Sequence, residues 1–342
     1  MHILIVSLGS TEGLRRADEE LRASLVRAGA DAALARADPP RPARTMMLTD
    51  LAWARAARAA AVRGLAEARA RWGREPAVIY SSTTAALLWP RPGAIRFDAL
   101  SVANRPGRHG LWQRPLERRR LEQAPLLLPW SDGALAETPD AAGLRERSLV
   151  LPVPVEPSGA LKPAGERDIA AIAYAANPAK KGIDRVLAAW QRVRAATSLD
   201  ATPGELVIAG ADSRELRRAG VSTEASLVRV VGALPSNEYR ALVRRARVFV
   251  CAPRREDYGI AQLEALADGC QLVTTPAPGP YVALPIARQL DPRLTSEDLA
   301  QALSCALHDP VPGYERRARQ ALAGFSRGSA DHAAARALQR LA

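Results

Sequence analysis

The sequence predicts an α/β protein built of two halves, each a doubly wound parallel sheet. Three observations carry this expectation. Strand-like and helix-like segments alternate along the chain, a proline-rich stretch interrupts the alternation near the middle, and 342 residues give each half length for its own core. The first half reads as strands at 2–7, 31–35, 77–80, 94–97, 126–129 and 148–151, with helical segments near 13–28, 46–71 and 112–123. Pro152, Pro154, Pro157 and Pro163 then mark a linker over 152–166. The alternation restarts at 168–173 and continues with strands at 205–209, 227–231, 247–250 and 271–274. The domains expected are therefore 1–151 and 167–325, with a C-terminal helix over 326–342 available to pack back on the first. Open sheets of this kind bind ligands beyond the carboxyl ends of their strands, so the loops after 173, 209, 231 and 250 should surround one site.

Composition narrows the class. The net charge is +12, yet of 48 basic residues only Lys162, Lys180 and Lys181 are lysine. Residues 1–157 hold 23 arginines against 17 acidic residues, half of the excess, so the charge is diffuse. Such a distribution attracts phosphates or anionic lipids weakly, and with no aromatic platform or recognised module it gives no case for nucleic acid. Cys251, Cys270 and Cys305 are odd in number and widely spaced, which suits neither a disulfide framework nor a metal site. Residues 1–7 read as a buried strand rather than a signal peptide. No stretch approaches the roughly 20 apolar residues of a membrane span. The expected location is the cytoplasm, with peripheral membrane contact at most.

The most informative segment is 255–269, which places Glu256 and Glu264 eight residues apart around Gly259. Ile260, Leu263 and Ala267 recur at helical spacing, and Glu264 shares their apolar face. A carboxylate facing inward is costly unless something hydrogen-bonds it, and a pair of sugar hydroxyls is one partner that fits. The amides of Tyr258, Gly259 and Ile260 open the helix and offer a natural nest for an anion. A second signal follows the strand at 168–173, where Lys180 and Lys181 precede Gly182 and a helix over 186–193. Lysine retained in an arginine-rich chain suggests that a compact ammonium is needed, for example to neutralise a departing diphosphate.

The segment around Glu256 and Glu264 resembles the E-x7-E motif of family 4, or group 1, retaining glycosyltransferases, with Tyr258 in place of the usual phenylalanine. Lys181 and Gly182 match that family's G-R-x(4)-K-G pattern, although Ala175 stands where its arginine belongs. Lys180 or Arg254 are the candidates to replace it. The resemblance implies a GT-B fold, two Rossmann-like domains facing a cleft, with the acceptor on the first and a nucleoside-diphosphate sugar on the second. By that resemblance Glu256 touches the transferred sugar, Glu264 holds the donor ribose, and Gly210, Ala233 and Leu234 lie near the nucleotide. The strand-end loop at 278–281 keeps little of the family's glycine pair and glutamate.

The first half is less readable. Gly9 lies where the family often carries a glycine-rich loop, and Asp98 ends a strand where relatives often present a catalytic residue near the sugar. Residues 81–84 read as a cap for the following helix. The segment 111–122 mixes Leu111, Trp112 and Leu116 with four arginines and is read as a solvated helix packed on its sheet, the alternative being a helix lying on an anionic membrane. The resemblance as a whole implies a metal-independent retaining glycosyltransferase with no bound cofactor, using Glu256, Lys181 and Asp98 on a nucleotide sugar and an acceptor that is a glycan, a lipid-linked species or a small molecule. A degenerate binder of sugar nucleotides and a sugar-nucleotide epimerase of the same fold are the alternatives. The missing arginine favours the first of these, whereas the second would call for more histidine and acid in the cleft.

Overall fold

Short apolar runs bounded by turn residues form buried parallel strands, and ten such runs build two five-stranded sheets. The computed structural model describes residues 1–342 apart from 42, 106, 139–140, 197–203 and 223–226. Its first unit comprises Met1–Pro154 with Phe325–Ala342, and its second comprises Val155–Gly324.

The first sheet contains β1 (His2–Ser7), β2 (Asp31–Arg36), β3 (Ala77–Tyr80), β4 (Ala94–Phe97) and β5 (Leu127–Pro129), all parallel, in the order β2-β1-β3-β4-β5. Side chains of β1 alternate between two cores. Leu4 and Val6 pack with Ala57, Ala60 and Ala61 of the long helix Met46–Trp72, while Ile3 and Ile5 pack with Leu21 and Leu25 of the helix Glu12–Arg27. The C-terminal helix Arg327–Leu341 belongs to this second core through Ala334 and Ala337. Asp331 accepts two hydrogen bonds from Arg27, at 2.7 and 2.8 Å, which fixes its register.

The expected strand at 148–151 does not form. Leu149 and Leu151 donate to the carbonyls of Leu127 and Pro129, but Ser148 makes only an isolated bridge. Pro129 has no N–H to return, so the ladder cannot propagate along β5. Residues 81–84 do cap a helix: Ser82 accepts from the Ala85 amide at 3.1 Å.

The helix Gln113–Gln123 packs inward through Gln113, Glu117 and Leu121. The Glu117 carboxylate accepts both the Ser101 amide, at 2.9 and 3.2 Å, and the Ser101 hydroxyl, so a buried side chain supplies the cap for the short helix Ser101–Asn104. Burial pushes this carboxyl above its ordinary value, while the hydrogen bonds from Ser101 and Thr83 pull it down. A raised carboxyl stabilises the fold below the unfolded value and loses that contribution as pH rises through the folded one. Glu117→Gln keeps the shape and cannot ionise. The melting temperature of the natural protein minus that of the variant should therefore fall as pH rises from about 4 to about 7.

The second sheet contains β6 (Ile169–Tyr174), β7 (Leu206–Ala209), β8 (Val228–Gly232), β9 (Ala246–Cys251) and β10 (Gln271–Thr274), all parallel, in the order β10-β9-β6-β7-β8. From β6 the chain winds outward through β7 and β8, then returns to β9 on the other side. The winding direction therefore reverses between β6 and β9, and in the first sheet it reverses between β1 and β3. Crevices at such switch points are where open α/β sheets hold ligands, because the two flanking loops diverge there. Among the described residues, no helix is long and apolar enough to cross a membrane.

Candidate active site

The loops that leave β6 and β9 flank the switch point of the second unit, and each carries one of the two sequence signals. After β6, Asn177 accepts the Lys180 amide at 3.1 Å and starts the single turn Pro178–Lys181, which Gly182 ends in the left-handed region at φ 64°. A Cβ at Gly182 would stand 1.9 Å from the carbonyl oxygen of Ala252, just past β9. The glycine of the lysine-glycine pair thus lets the two loops touch. The Arg254 amide donates to the Lys180 carbonyl at 2.9 Å and locks them together.

This contact brings four charged side chains into two pairs. Lys181 Nζ donates to Glu256 Oε2 at 2.6 Å, and Lys180 Nζ donates to Asp257 Oδ2 at 2.7 Å. Glu256 is 5 % exposed and also accepts from Gln262 Nε2 at 2.8 Å. Arg255 Nε donates to Asp257 Oδ1 at 2.8 Å. Counting Lys180, Lys181 and Arg255 against Glu256 and Asp257 leaves one positive charge at the mouth of the crevice, favourable for a phosphate. Arg254, a candidate to replace the absent arginine, instead binds Asp184 at 2.7 Å and the Ala179 carbonyl at 3.1 Å. Ala175 is fully buried at the end of β6.

The loop at 278–281 grips the backbone of Glu256. The Glu256 amide donates to the Pro278 carbonyl at 3.1 Å, and its carbonyl accepts from the Tyr281 amide at 3.3 Å. A Cβ at Gly279 would lie 2.3 Å from that same Glu256 carbonyl oxygen, so this loop holds the carboxylate in place from behind. Gly279→Ala is expected to displace Glu256 and lower activity while Gly324→Ala, at a glycine whose added Cβ would meet nothing within 4 Å, leaves it unchanged. A comparison of kcat and of thermal stability for the two variants checks this.

Gly259 precedes the helix Ile260–Ala267 with no side-chain capping bond, in the position of the anion nest formed with Tyr258 and Ile260. Inside that helix Glu264 is buried and pairs with Arg240, Nη1 to Oε1 at 3.3 Å. Arg240 also reaches Asp268 at 2.6 Å, and Asp268 accepts the Ser158 amide and hydroxyl, each at 2.8 Å. Gly210 ends β7 against the ring of Tyr174, while Ala233 and Leu234 follow the edge strand β8.

In the first unit Asp98 follows β4 and lines a cavity of about 470 Å³, to which Leu8 and Ser10, the two neighbours of Gly9, also contribute. Gly9 itself accepts from Arg15 through its carbonyl at 3.0 Å. Sequence reasoning missed Gln262, Asp257 and Arg240. Gln262 stands six residues after Glu256, where the opening of the helix turns it back, and only the loop geometry reveals that. Among the described residues no three of His, Cys, Asp and Glu gather in a way that would hold a metal ion.

Comparison with known proteins bears on the second unit's sequence and on the fold. Residues 166–309 match the family model described as glycosyl transferases group 1. Sucrose-phosphate synthase from Thermosynechococcus elongatus superposes with a TM-score of 0.72 at 16 % identity, covering 99 % of this chain and 98 % of that one. The Anabaena protein HepE, solved with UDP and glucose, gives 0.68 at 14 % identity and 99 % of each chain. The fold is GT-B. A trehalose 6-phosphate synthase from Burkholderia multivorans extends the set of GT-B likenesses, at 0.62 and 13 % identity over 100 % and 98 % of the two chains. No curated protein sequence matches. The family likeness lies in residues 166–309 of the second unit, and the likeness to the solved structures over the full chain is one of fold.

Proposed function

We propose that this protein moves a sugar from a nucleoside-diphosphate donor to a hydroxyl acceptor, with retention at the anomeric carbon and without a resident metal. The observation that carries the reading is the Lys181–Glu256 pair, which unites both family motifs at one switch point. HepE, a GT-B neighbour, is solved with UDP and glucose, which supports a nucleotide sugar as donor.

In this reading the bond from the anomeric carbon to the β-phosphate oxygen breaks, and the diphosphate leaves with the electron pair. The acceptor oxygen bonds to the anomeric carbon from the same face, and its proton passes to the departing phosphate. Lys181 and the amides that open the helix at Ile260 meet the growing charge on the leaving group. Glu256, held by Gln262 and by the loop at 278–281, orients the sugar. Glu264 receives the ribose hydroxyls, its own charge already balanced by Arg240. Lys180, beside Asp257, stands in for the arginine that Ala175 replaces. The location in the reading is cytoplasmic, with peripheral membrane contact left to the acceptor.

A thermal-shift screen across nucleotide sugars tests the donor assignment. Stabilisation by one nucleoside diphosphate family, weakened by Lys181→Ala and Glu264→Gln, is the expected result. A second reading is favoured by the full burial of Ala175, a site that leaves no room for the family's arginine: a protein that binds the sugar nucleotide and does not turn it over. Binding without turnover of any labelled donor would establish it.

A further inference from the structure

Lys162 is the third lysine of a chain that uses arginine for almost every cation, and it has no part in the site described above. It lines a cavity of about 240 Å³ at the other end of the second sheet. Arg167 stands two residues before β6, Arg247 is the second residue of β9, and Gln271 opens β10. The cavity therefore lies at the amino ends of three neighbouring strands. The crevice of Lys181 and Glu256 lies beyond the carboxyl ends, about 20 Å away along the six residues of β6. The volume falls below the roughly 300–1,000 Å³ of drug-sized sites, which calls for a compact occupant.

Among the described lining residues the charged side chains are Lys162, Arg167, Arg247 and Glu315, three cations against one acid. Arg167 is 6 % exposed. Among the described residues its guanidinium bonds to the carbonyls of Lys162, Ala246 and Asp268, at 3.1, 2.8 and 3.0 Å, and to the Cys270 thiol. Uncharged partners hold the cation in place without cancelling its charge. Burial pulls the Arg247 guanidinium below its ordinary value, and an anion beside it favours the charged form. Of the acids adjacent to the lining in sequence, Asp168, Asp268 and Asp309 accept from Arg245, Arg240 and Arg293, and Glu166 is exposed to water. Two helices, Ile260–Ala267 and Leu299–His308, end beside Gly269 and Leu307 of the lining. Each brings about half a negative charge, which leaves the cavity about one positive charge. Gln271 adds a second requirement. Its Nε2 donates to the Ala306 carbonyl at 2.9 Å, while its buried Oε1 accepts from nothing among the described residues. A buried acceptor in that state is costly, and a hydroxyl on an occupant relieves it. Leu307, Pro310 and Val311 give an apolar wall for a short carbon chain.

We infer that this cavity is a second ligand site, and that it takes a small phosphate monoester bearing a hydroxyl. The Lys162 ammonium and the Arg247 fork suit the oxygens of a phosphate, and the Gln271 amide receives the hydroxyl. Arg167 supplies charge from behind. The occupant sits a full strand length from the crevice of Lys181 and Glu256, so it is no substrate of the reaction read there. The site goes beyond the transferase reading and does not depend on it.

Calorimetric titration of the full chain tests it, with glycerol 3-phosphate and 3-phosphoglycerate as the esters, glycerol as the neutral probe and inorganic phosphate as the bare anion. At least one ester should bind once per chain, glycerol not at all, and inorganic phosphate about tenfold more weakly for want of the hydroxyl. Lys162→Glu should weaken the ester about tenfold or more, while Lys162→Arg retains it. Gly165→Asp should act like Lys162→Glu, since Gly165 lines the cavity and an added Cβ there meets nothing within 4 Å. Both positions are exposed, and an unchanged melting temperature reports that each variant is folded. Lys181→Ala should leave ester binding unchanged. Failure of both esters would overturn the proposal, as would equal binding of glycerol or inorganic phosphate, or an affinity indifferent to Lys162→Glu and Gly165→Asp. Loss of the ester in Lys181→Ala would overturn it too, by moving the anion to the crevice. If an ester binds as described and no nucleoside diphosphate does, the transferase reading fails and this one stands.

Discussion

Replacing Lys181 by Ala should reduce kcat by about 10²–10³, the usual cost of removing one preorganised donor from a developing anion. It should also weaken a nucleoside diphosphate far more than the corresponding nucleoside, because a hydrogen bond to a charged group is worth about 1.5–3 kcal/mol. The structure adds a twist. Lys181 is held by Glu256 at 2.6 Å, so a diphosphate at this site competes with a buried carboxylate for the same ammonium. Glu256→Gln should therefore bind the nucleoside diphosphate more tightly while transferring sugar more slowly. Calorimetric titration of nucleoside, monophosphate and diphosphate, paired with single-turnover rates, separates these effects. Equal small losses for all three ligands in Lys181→Ala would mean that the lysine only decorates a helix start, since exposed charges contribute about 0–1 kcal/mol.

The second large effect concerns Arg240, which lies between two buried carboxylates. Arg240→Met leaves Glu264 and Asp268 without their shared cation, and breaking a buried pair in this way costs about 3–5 kcal/mol. Removing all the charges together should cost much less, because a buried ion network exchanged for neutral groups is often close to neutral in stability. Chemical denaturation of Arg240→Met, and of the triple variant that adds Glu264→Gln and Asp268→Asn, checks both statements. The triple variant should regain most of the lost stability and still fail to hold the ribose tightly. A stable single variant would show that Glu264 and Asp268 lose their charge when Arg240 is absent.

The strands were legible because a parallel strand covered on both faces must be an apolar run, and ten of the eleven read from the chain lie within one residue of their observed bounds. The failure at 148–151 came from pairing, since the run is apolar enough but Pro129 across from it cannot donate. At the site, Lys180, Lys181 and Glu256 were legible as residue types in an unusual context. That they form pairs was not, because Gly182 permits the contact only through a neighbour 70 residues away in sequence, Ala252. Gly279 looked like a remnant of a lost motif, and its value lies in a close backbone approach to Glu256, where an added Cβ would stand 2.3 Å from the carbonyl oxygen, that no one-dimensional pattern records. Arg240 was invisible for a different reason. In a chain that uses arginine for almost every cation, one more arginine on a helix carries no signal, and only its burial between Glu264 and Asp268 sets it apart. Asp98 was singled out on position alone, and the cavity now gives it surroundings.

The most direct test of the account is turnover. Purified protein is incubated with labelled nucleotide sugars and a panel of glycan, lipid-linked and small-molecule acceptors, and release of nucleoside diphosphate is followed together with the anomeric configuration of the product. The account predicts transfer from one donor class with retained configuration, lost in both Lys181→Ala and Glu256→Gln. Product of inverted configuration, or transfer that persists undiminished in both variants, would contradict it.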